Sequence, residues 1–354
     1  MRYAPKRFKG IGLNLPHGSG TLVFRMVDCV FASQGIHVPA INLWLDSREP
    51  VAANWISHAH SDHAQPGHGR VWATAQTMRI YLTRSPEASA SVLREVEFGE
   101  SWEWNGARLT AYPAGHILGA AQLLIEYRGE RLVYTGDIKL RPPMLGEATV
   151  SVECDRLIIE STFGLPIYHF LDREHAVERV QRFARGCLAD GLTPVLFGYP
   201  LGRGQEITWA LCQAGIPTAV HGAMARLIPE YERAGFTFPG WEPYESGVEK
   251  DRALVLVPGM RDVVQASGRD VRIAYVSGWA ALDNARARSG AEELIPYSDH
   301  ADFNELLQLV ERSKARRVDV VHGYTEAFAR ILRSRGIDAH ASLAASSEER
   351  ERPE

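Results

Sequence analysis

His58-Ala59-His60-Ser61-Asp62-His63 is the stretch whose reading decides this chain. It follows the apolar run Val51-Ala52-Ala53-Asn54-Trp55-Ile56-Ser57 and packs three imidazoles and one carboxylate into six residues, with only small residues between them. Imidazole nitrogen and carboxylate oxygen are the donors that suit zinc and similar divalent ions. Side chains alternate along an extended strand end, so His58 and His60 fall on one side. If the chain then turns helical, Asp62 and His63 can face a second position a few Å away. One loop can thus serve two metals.

Composition narrows the setting. The chain has 354 residues, 45% of them apolar, as in an ordinary globular protein of one large or two smaller domains. No apolar run approaches the roughly 20 residues of a membrane span. Basic residues near the N-terminus precede no apolar core, so no signal peptide is expected. The cysteines at 29, 154, 187 and 212 form no CxxC pair, which argues against a thiolate zinc site and fits a reducing cytoplasm. With a formal charge of −4, bulk charge announces no nucleic-acid partner, and a phosphate-binding surface would have to be local.

Outward from the histidine cluster, further ligand-type residues sit at the ends of apolar runs. Ile36 to Leu45 reads as a strand ending at Asp46, which could orient a ligand histidine. His116 lies in Gly115-His116-Ile117-Leu118-Gly119, and Asp137 in Thr135-Gly136-Asp137 after the strand Arg131 to Tyr134. Leu157-Ile158-Ile159 reads as a strand buried on both faces and ends in Glu160-Ser161-Thr162-Phe163-Gly164. Strands and helices then alternate from Asp172 to Val257, with a helix from Met224 to Ala234, suggesting a parallel α/β unit. Within it, Pro200-Leu201-Gly202-Arg203-Gly204-Gln205-Glu206 opens a helix, where Gly202, Arg203 and Gly204 could hold a phosphate, or simply form a tight turn. From Val271 the earlier pattern returns, through Ser298-Asp299-His300-Ala301-Asp302 to the strand Val318 to Val321 and His322-Gly323. A short strand, Ile337 to Ala339, closes the fold, and the residues from Ser346 on are expected to be disordered.

These residues sort into two metal sets. His58, His60, His116 and Asp137 suit one ion; Asp62, His63, Asp137 and His322 suit a second, with Asp137 bridging. Two metals about 3.5–4 Å apart can hold a hydroxide to attack a phosphodiester and clamp it in line. His300 is the candidate acid for the leaving oxygen, and Glu160 would fix its tautomer and favour its charged form. Asp62 is counted with Glu160 and His300 among the catalytic candidates, and Ser298 with the phosphate-binding ones.

The cluster, Gly115-His116 and Thr135-Gly136-Asp137 resemble the metallo-β-lactamase superfamily. Glu160-Ser161-Thr162-Phe163-Gly164, Ser298-Asp299-His300-Ala301-Asp302 and Val321-His322-Gly323 resemble, in order, motifs A, B and C of its β-CASP nucleases. The likeness covers roughly residues 40 to 342. Within the family, Ser277-Gly278-Trp279, Tyr297 to Asp302 and His322-Gly323-Tyr324-Thr325 look most like bacterial DNA-ligase-associated exonucleases. A denser arginine run than Arg286 and Arg288 is usual there, and the N-terminal lead-in is longer than usual. Motif C histidine is shared with RNA-cleaving relatives, whereas a DNA-cleaving branch carries valine.

The resemblance implies an αββα sandwich, residues 1–165 and 271–354, interrupted by a β-CASP-like cap at 166–270. It implies a two-metal enzyme, with zinc or alternatively manganese, that cleaves nucleic acid, and a DNA exonuclease in repair, functionally associated with a DNA ligase and cytoplasmic. The rivals are an RNA nuclease of the 3′-end-processing type and a small-molecule ester or lactam hydrolase, whose chemistry has no need of the His300–Glu160 pair. A non-catalytic scaffold would be expected to have lost ligands, and none is lost here.

Overall fold

The computed structural model describes residues 27–86, 88, 93–245, 251–266 and 270–342. The lead-in over 1–20, most of the strand expected from Leu22 to Val27 and the tail from Ser346 lie outside them.

Two sheets stack face to face. The first has six strands in sequence order, Val30–Ala32, Gly35–Val38, Leu43–Leu45, Ala53–Trp55, Arg70–Thr74 and Leu93–Val96. The second has seven, running Ala339–Ala341, Arg317–Gly323, Arg156–Ser161, Glu130–Tyr134, Ala121–Tyr127, Ala107–Pro113 and Ser101–Trp104. Alternation along each strand sends Val38, Leu43, Leu45 and Trp55 from one sheet against Leu109, Leu123, Ile125 and Leu132 from the other, and all are buried. Helices cover the outer faces: Ala75–Arg84 lies on the first sheet, and Phe303–Ser313 and Thr325–Ser334 lie on the second. The helix from Phe303 starts where Asp302 accepts from the Glu305 amide and Glu305 accepts from that of Asp302, each at 3.0 Å, a reciprocal cap. Its Leu306, Leu309 and Val310 face inward. This is the αββα sandwich.

A third sheet holds six parallel strands in the order Trp241–Pro243, Thr218–Val220, Ala253–Leu256, Thr193–Phe197, Val271–Val276 and Glu293–Ile295. Its membership corrects the expected return to the sandwich at residue 271. Val271–Val276 pairs in parallel with Thr193–Phe197, and Glu293–Ile295 pairs with Val271–Val276, so the inserted sheet continues to Ile295. The helix expected from Met224 to Ala234 is two pieces, Gly222–Ala225 and Ile228–Arg233, because Pro229 starts a new turn. Pro39 likewise breaks the expected strand from Ile36 to Leu45 with one 3₁₀ turn, Pro39–Ile41, and the closing strand forms at Ala339–Ala341. No helix among the described residues is long and apolar enough to cross a membrane.

The topology gathers carboxyl ends. Asp46, His58, Asp137, Glu160 and His322 all follow or end strands that run in one direction within their sheets. Ser298 to His300 leave the last strand of the third sheet toward the same edge. Open α/β sheets bind ligands there, because the loops after parallel strands meet at that edge.

Gly136 turns the chain just before Asp137. Its φ is 56°, and a Cβ would lie 2.5 Å from the Cβ and Oγ of Ser57. Gly136→Ala is expected to cost at least about 1 kcal/mol for the left-handed backbone alone, with displacement of Ser57 adding to it. Thermal unfolding followed by circular dichroism checks this; an unchanged Tm would mean the segment relaxes freely.

Candidate metal centre

The cluster loop turns at His60, whose carbonyl accepts from the amides of His63 and Ala64. All four histidines of the expected ligand sets up to His116 are buried. Each is held through one nitrogen. Ser57 donates its hydroxyl to Asp46 at 2.5 Å, so the His58 Nδ1–H donates to Ser57 Oγ at 3.0 Å. His60 donates from Nε2 to the Leu201 carbonyl at 3.1 Å. His63 donates from Nδ1 to Asp46 at 2.8 Å, and His116 from Nδ1 to the Asp299 carbonyl at 3.0 Å. In neutral His58, His60 and His116 the second ring nitrogen carries a lone pair and points inward, whereas at His63 burial opposes charge but Asp62, Asp137 and Asp46 outweigh it and raise the ring well above the usual imidazole pKa, so His63 would ligate on losing that proton.

That arrangement tests the fit of a cation. His58 Nε2 and His116 Nε2 each lie 3.1 Å from His60 Nδ1, yet none has a proton to share. Tetrahedral nitrogen ligands on zinc stand about 3.3 Å apart. Asp137 Oδ2 adds the negative charge, 3.4 Å from His58 Nε2 and 3.7 Å from His116 Nε2. The four donor atoms lie within 4.8 Å of one another. Burial, with repulsion between the rings, holds His58 and His116 well below the usual imidazole pKa, and burial brings His60 down to about 4. Neutral rings are the ligating form. The residues fit a divalent ion.

Asp137 Oδ2 also lies 3.6 Å from His63 Nε2, which is 3.4 Å from Asp62 Oδ2. His63, Asp62 and Asp137 could hold a second ion beside the first. His322 stands further out, its ring centre 5.6 Å from that of His63, and it lines an open cleft with Asp62 and His63. Asp46 has no donor role left to fill: its carboxylate accepts from the Ser57 amide and hydroxyl, His63 and Tyr134.

Beside Asp137 stands a different pair. His300 Nδ1 donates to Glu160 at 2.8 Å, and Nε2 lies 3.9 Å from Asp137 Oδ2. Glu160 is fully buried and also accepts from the amides of Ile138 and Thr162. Burial opposes charge on both groups. Their mutual attraction wins, keeping Glu160 at about 2 and, with Asp137, raising His300 to about 10. The His300 side chain is 19% exposed, so it remains reachable.

The loop expected to hold a phosphate is turned inward. Arg203 is 3% exposed and pairs with Glu206 at 2.6 Å and Asp299 at 3.2 Å. The Gly202 amide donates to Gln205 and the Gly204 amide to the Tyr199 carbonyl, both at 2.8 Å. Ser298 is buried, its hydroxyl accepting from the His300 amide. The Gly202 and Gly204 amides and the Arg203 guanidinium are thus turned to partners within the protein. What sequence reasoning missed is the loop's carbonyl at Leu201, together with Ser57 and Tyr134. A backbone carbonyl leaves no mark in sequence; Glu206, one turn after Arg203, was the available sign of an internal ion pair.

Residues 290–342 match the family described as the Zn-dependent metallo-hydrolase RNA specificity domain. The chain is 34% identical, over 87% of its length, to an Opitutus terrae protein named as a probable DNA ligase, of which it spans 30%. It is 32% identical, over 77% of its length, to endoribonuclease YSH1 of Mycosarcoma maydis, spanning 41% of it. A Dictyostelium discoideum cleavage and polyadenylation specificity factor subunit 3 is 31% identical over 43% of the chain, which spans 24% of that protein. In fold it is similar to an Enterococcus faecalis protein of unknown function, with a TM-score of 0.57, 14% identity and coverage of 83% of this chain and 80% of that one. The sandwich, the inserted parallel sheet, the ordered motifs and these relatives agree, and the chain belongs to the metallo-β-lactamase superfamily in its β-CASP branch.

Proposed function

We propose that the chain is a metal-dependent nuclease holding two divalent ions, zinc with manganese as the alternative, and that it removes nucleotides from DNA ends in repair. The observation that carries this reading is the His300–Glu160 pair set against Asp137. When bound, such ions acidify a water and neutralise charge on a phosphate. The protein's own groups supply the rest. Asp137 faces both donor sets through one oxygen and so binds them together. Asp62, 39% exposed, stands at the open side of the second set. Glu160 fixes the His300 Nδ1–H and directs Nε2 inward, where it gives its proton to the leaving oxygen. A hydrolase of esters or lactams needs no such acid. Cation charge near Asp137 opposes the carboxylates and brings His300 from about 10 toward neutrality, where proton transfer is most effective.

In this reading the sandwich comprises 1–165 and the residues after Ile295, and the inserted sheet caps it, with the strand threading between them. Similarity over most of the chain to a probable DNA ligase favours DNA and a ligase as functional partner. The second reading, RNA cleavage, is favoured by His322 at motif C and by the endoribonuclease relatives.

Purified protein should carry about two metals per chain by elemental analysis, and Asp137→Asn should lose metal and activity together. Activity in a metal-free preparation would sink the mechanism. His300→Ala should keep its metal and lose about 10²–10⁴-fold in turnover; near-normal turnover would leave His300 a structural residue. End-labelled single-stranded DNA, duplex DNA and RNA, each with zinc and with manganese and with Asp137→Asn as blank, separate the two readings. Faster cleavage of RNA would select the second.

A further inference from the structure

We propose that the loop Pro200 to Gly204 of the inserted unit is a clasp on the first metal set, so that ion binding and seating of the cap on the sandwich are one linked equilibrium. The proposal rests on the reading of His58, His60, His116 and Asp137 as that set.

A ligand histidine must keep one nitrogen bare and the other held. For His60 the holding group is the Leu201 carbonyl, four residues beyond the strand Thr193–Phe197. For His116 it is the Asp299 carbonyl, four residues beyond Glu293–Ile295. Both carbonyls thus leave strands of the inserted sheet, while both histidines belong to the sandwich. Arg203 ties the two together. Its guanidinium meets the Asp299 carboxylate at 3.2 Å and Glu206 at 2.6 Å, and lies 4.3 Å over the Tyr297 ring. That ring also receives Lys139, at 4.1 Å, two residues after Asp137. Gly202, at φ 90°, lets the loop seat closely: a Cβ would lie 2.6 Å from Ile117, the neighbour of His116, and 3.0 Å from the Asp299 carboxylate.

The clasp is selective. His63 is oriented by Asp46 from within the sandwich and touches neither carbonyl. Loss of Arg203 frees Asp299 and the loop, loosening His60 and His116 and leaving His63 in place. Linkage then works in both directions: an ion that needs both tautomers fixed also holds the cap loop down.

The test uses full-length protein titrated with zinc, and with cobalt as a coloured probe. Groups that orient metal ligands are worth about 10–100-fold in affinity. Arg203→Met is expected to weaken one of two zinc sites by that factor, spare the other and change the visible cobalt spectrum, with Arg203→Lys intermediate. In the wild type, zinc is expected to slow amide exchange in residues 198–206 and 297–301 as well as in 57–64. Wild-type zinc affinity and cobalt spectrum in Arg203→Met would overturn the clasp. So would protection of 57–64 by zinc with 198–206 unchanged, a result that needs no variant and decides the matter if Arg203→Met does not fold. A wild type that binds no zinc would overturn the metal reading itself.

Discussion

One carboxylate oxygen organises this molecule. Asp137 Oδ2 lies 3.4 to 3.9 Å from nitrogens of His58, His63, His116 and His300. Burying so many polar rings is costly unless each nitrogen has a partner. The outward nitrogens are satisfied by Ser57, Leu201, Asp46, Asp299 and Glu160. The inward nitrogens of His58, His60 and His116 converge without protons between them, an arrangement that a cation would stabilise. Burial pushes Asp137 up to about 6, and Glu160 and Asp62 reinforce this against the pull of His63 and His300. The centre is thus balanced between desolvation and attraction, and positive charge is what would relieve it.

The fold meets this demand by direction. Parallel strands deliver their carboxyl ends to one edge, so residues as far apart in sequence as Asp46, Asp137, Glu160 and His322 arrive within one shell. The face-to-face sandwich below it is apolar, with Trp55, Leu43, Leu123 and Ile158 fully buried. It supplies the rigidity that the polar edge lacks. The inserted sheet adds its own carboxyl ends from the other side, which is why Leu201 and Asp299 can reach histidines that the sandwich positions.

Much of this was legible because it is local. The spacing within His58–His63, the glycines beside His116 and Asp137, and the order of the motifs are properties of short segments. The His300–Glu160 contact spans 140 residues, yet complementary chemistry made it readable. What the sequence leaves unreadable is equally physical. A glycine-rich helix start with an arginine looks the same whether its donors face solvent or, as here, Glu206 and Asp299. Buried parallel strands read as plain apolar runs, which carry no label for the sheet they join; Val271–Val276, expected in the sandwich, pairs instead in the third sheet.

Two backbone positions show how much the site bends the fold to its needs. Asp46 and His322, both at strand ends, adopt φ of 49° and 55°, a left-handed conformation that side chains disfavour but that aspartate and histidine tolerate better than most. Each is over-determined by its surroundings. Asp46 accepts four hydrogen bonds, and the His322 carbonyl accepts from the Ser161 hydroxyl at 2.6 Å, while Gly323 beyond it approaches the Ser161 carbonyl so closely that a Cβ would lie 2.5 Å away. A strand that simply continued would carry these side chains past the edge. The left-handed turn re-aims them toward His63, whose ring both of them flank. Strain held by such a network is found where geometry matters more than stability, and here it falls on the second donor set, the one the cap's carbonyls do not reach. The two sets are therefore positioned by different means: one by contacts across the inserted unit, the other by strain within the sandwich.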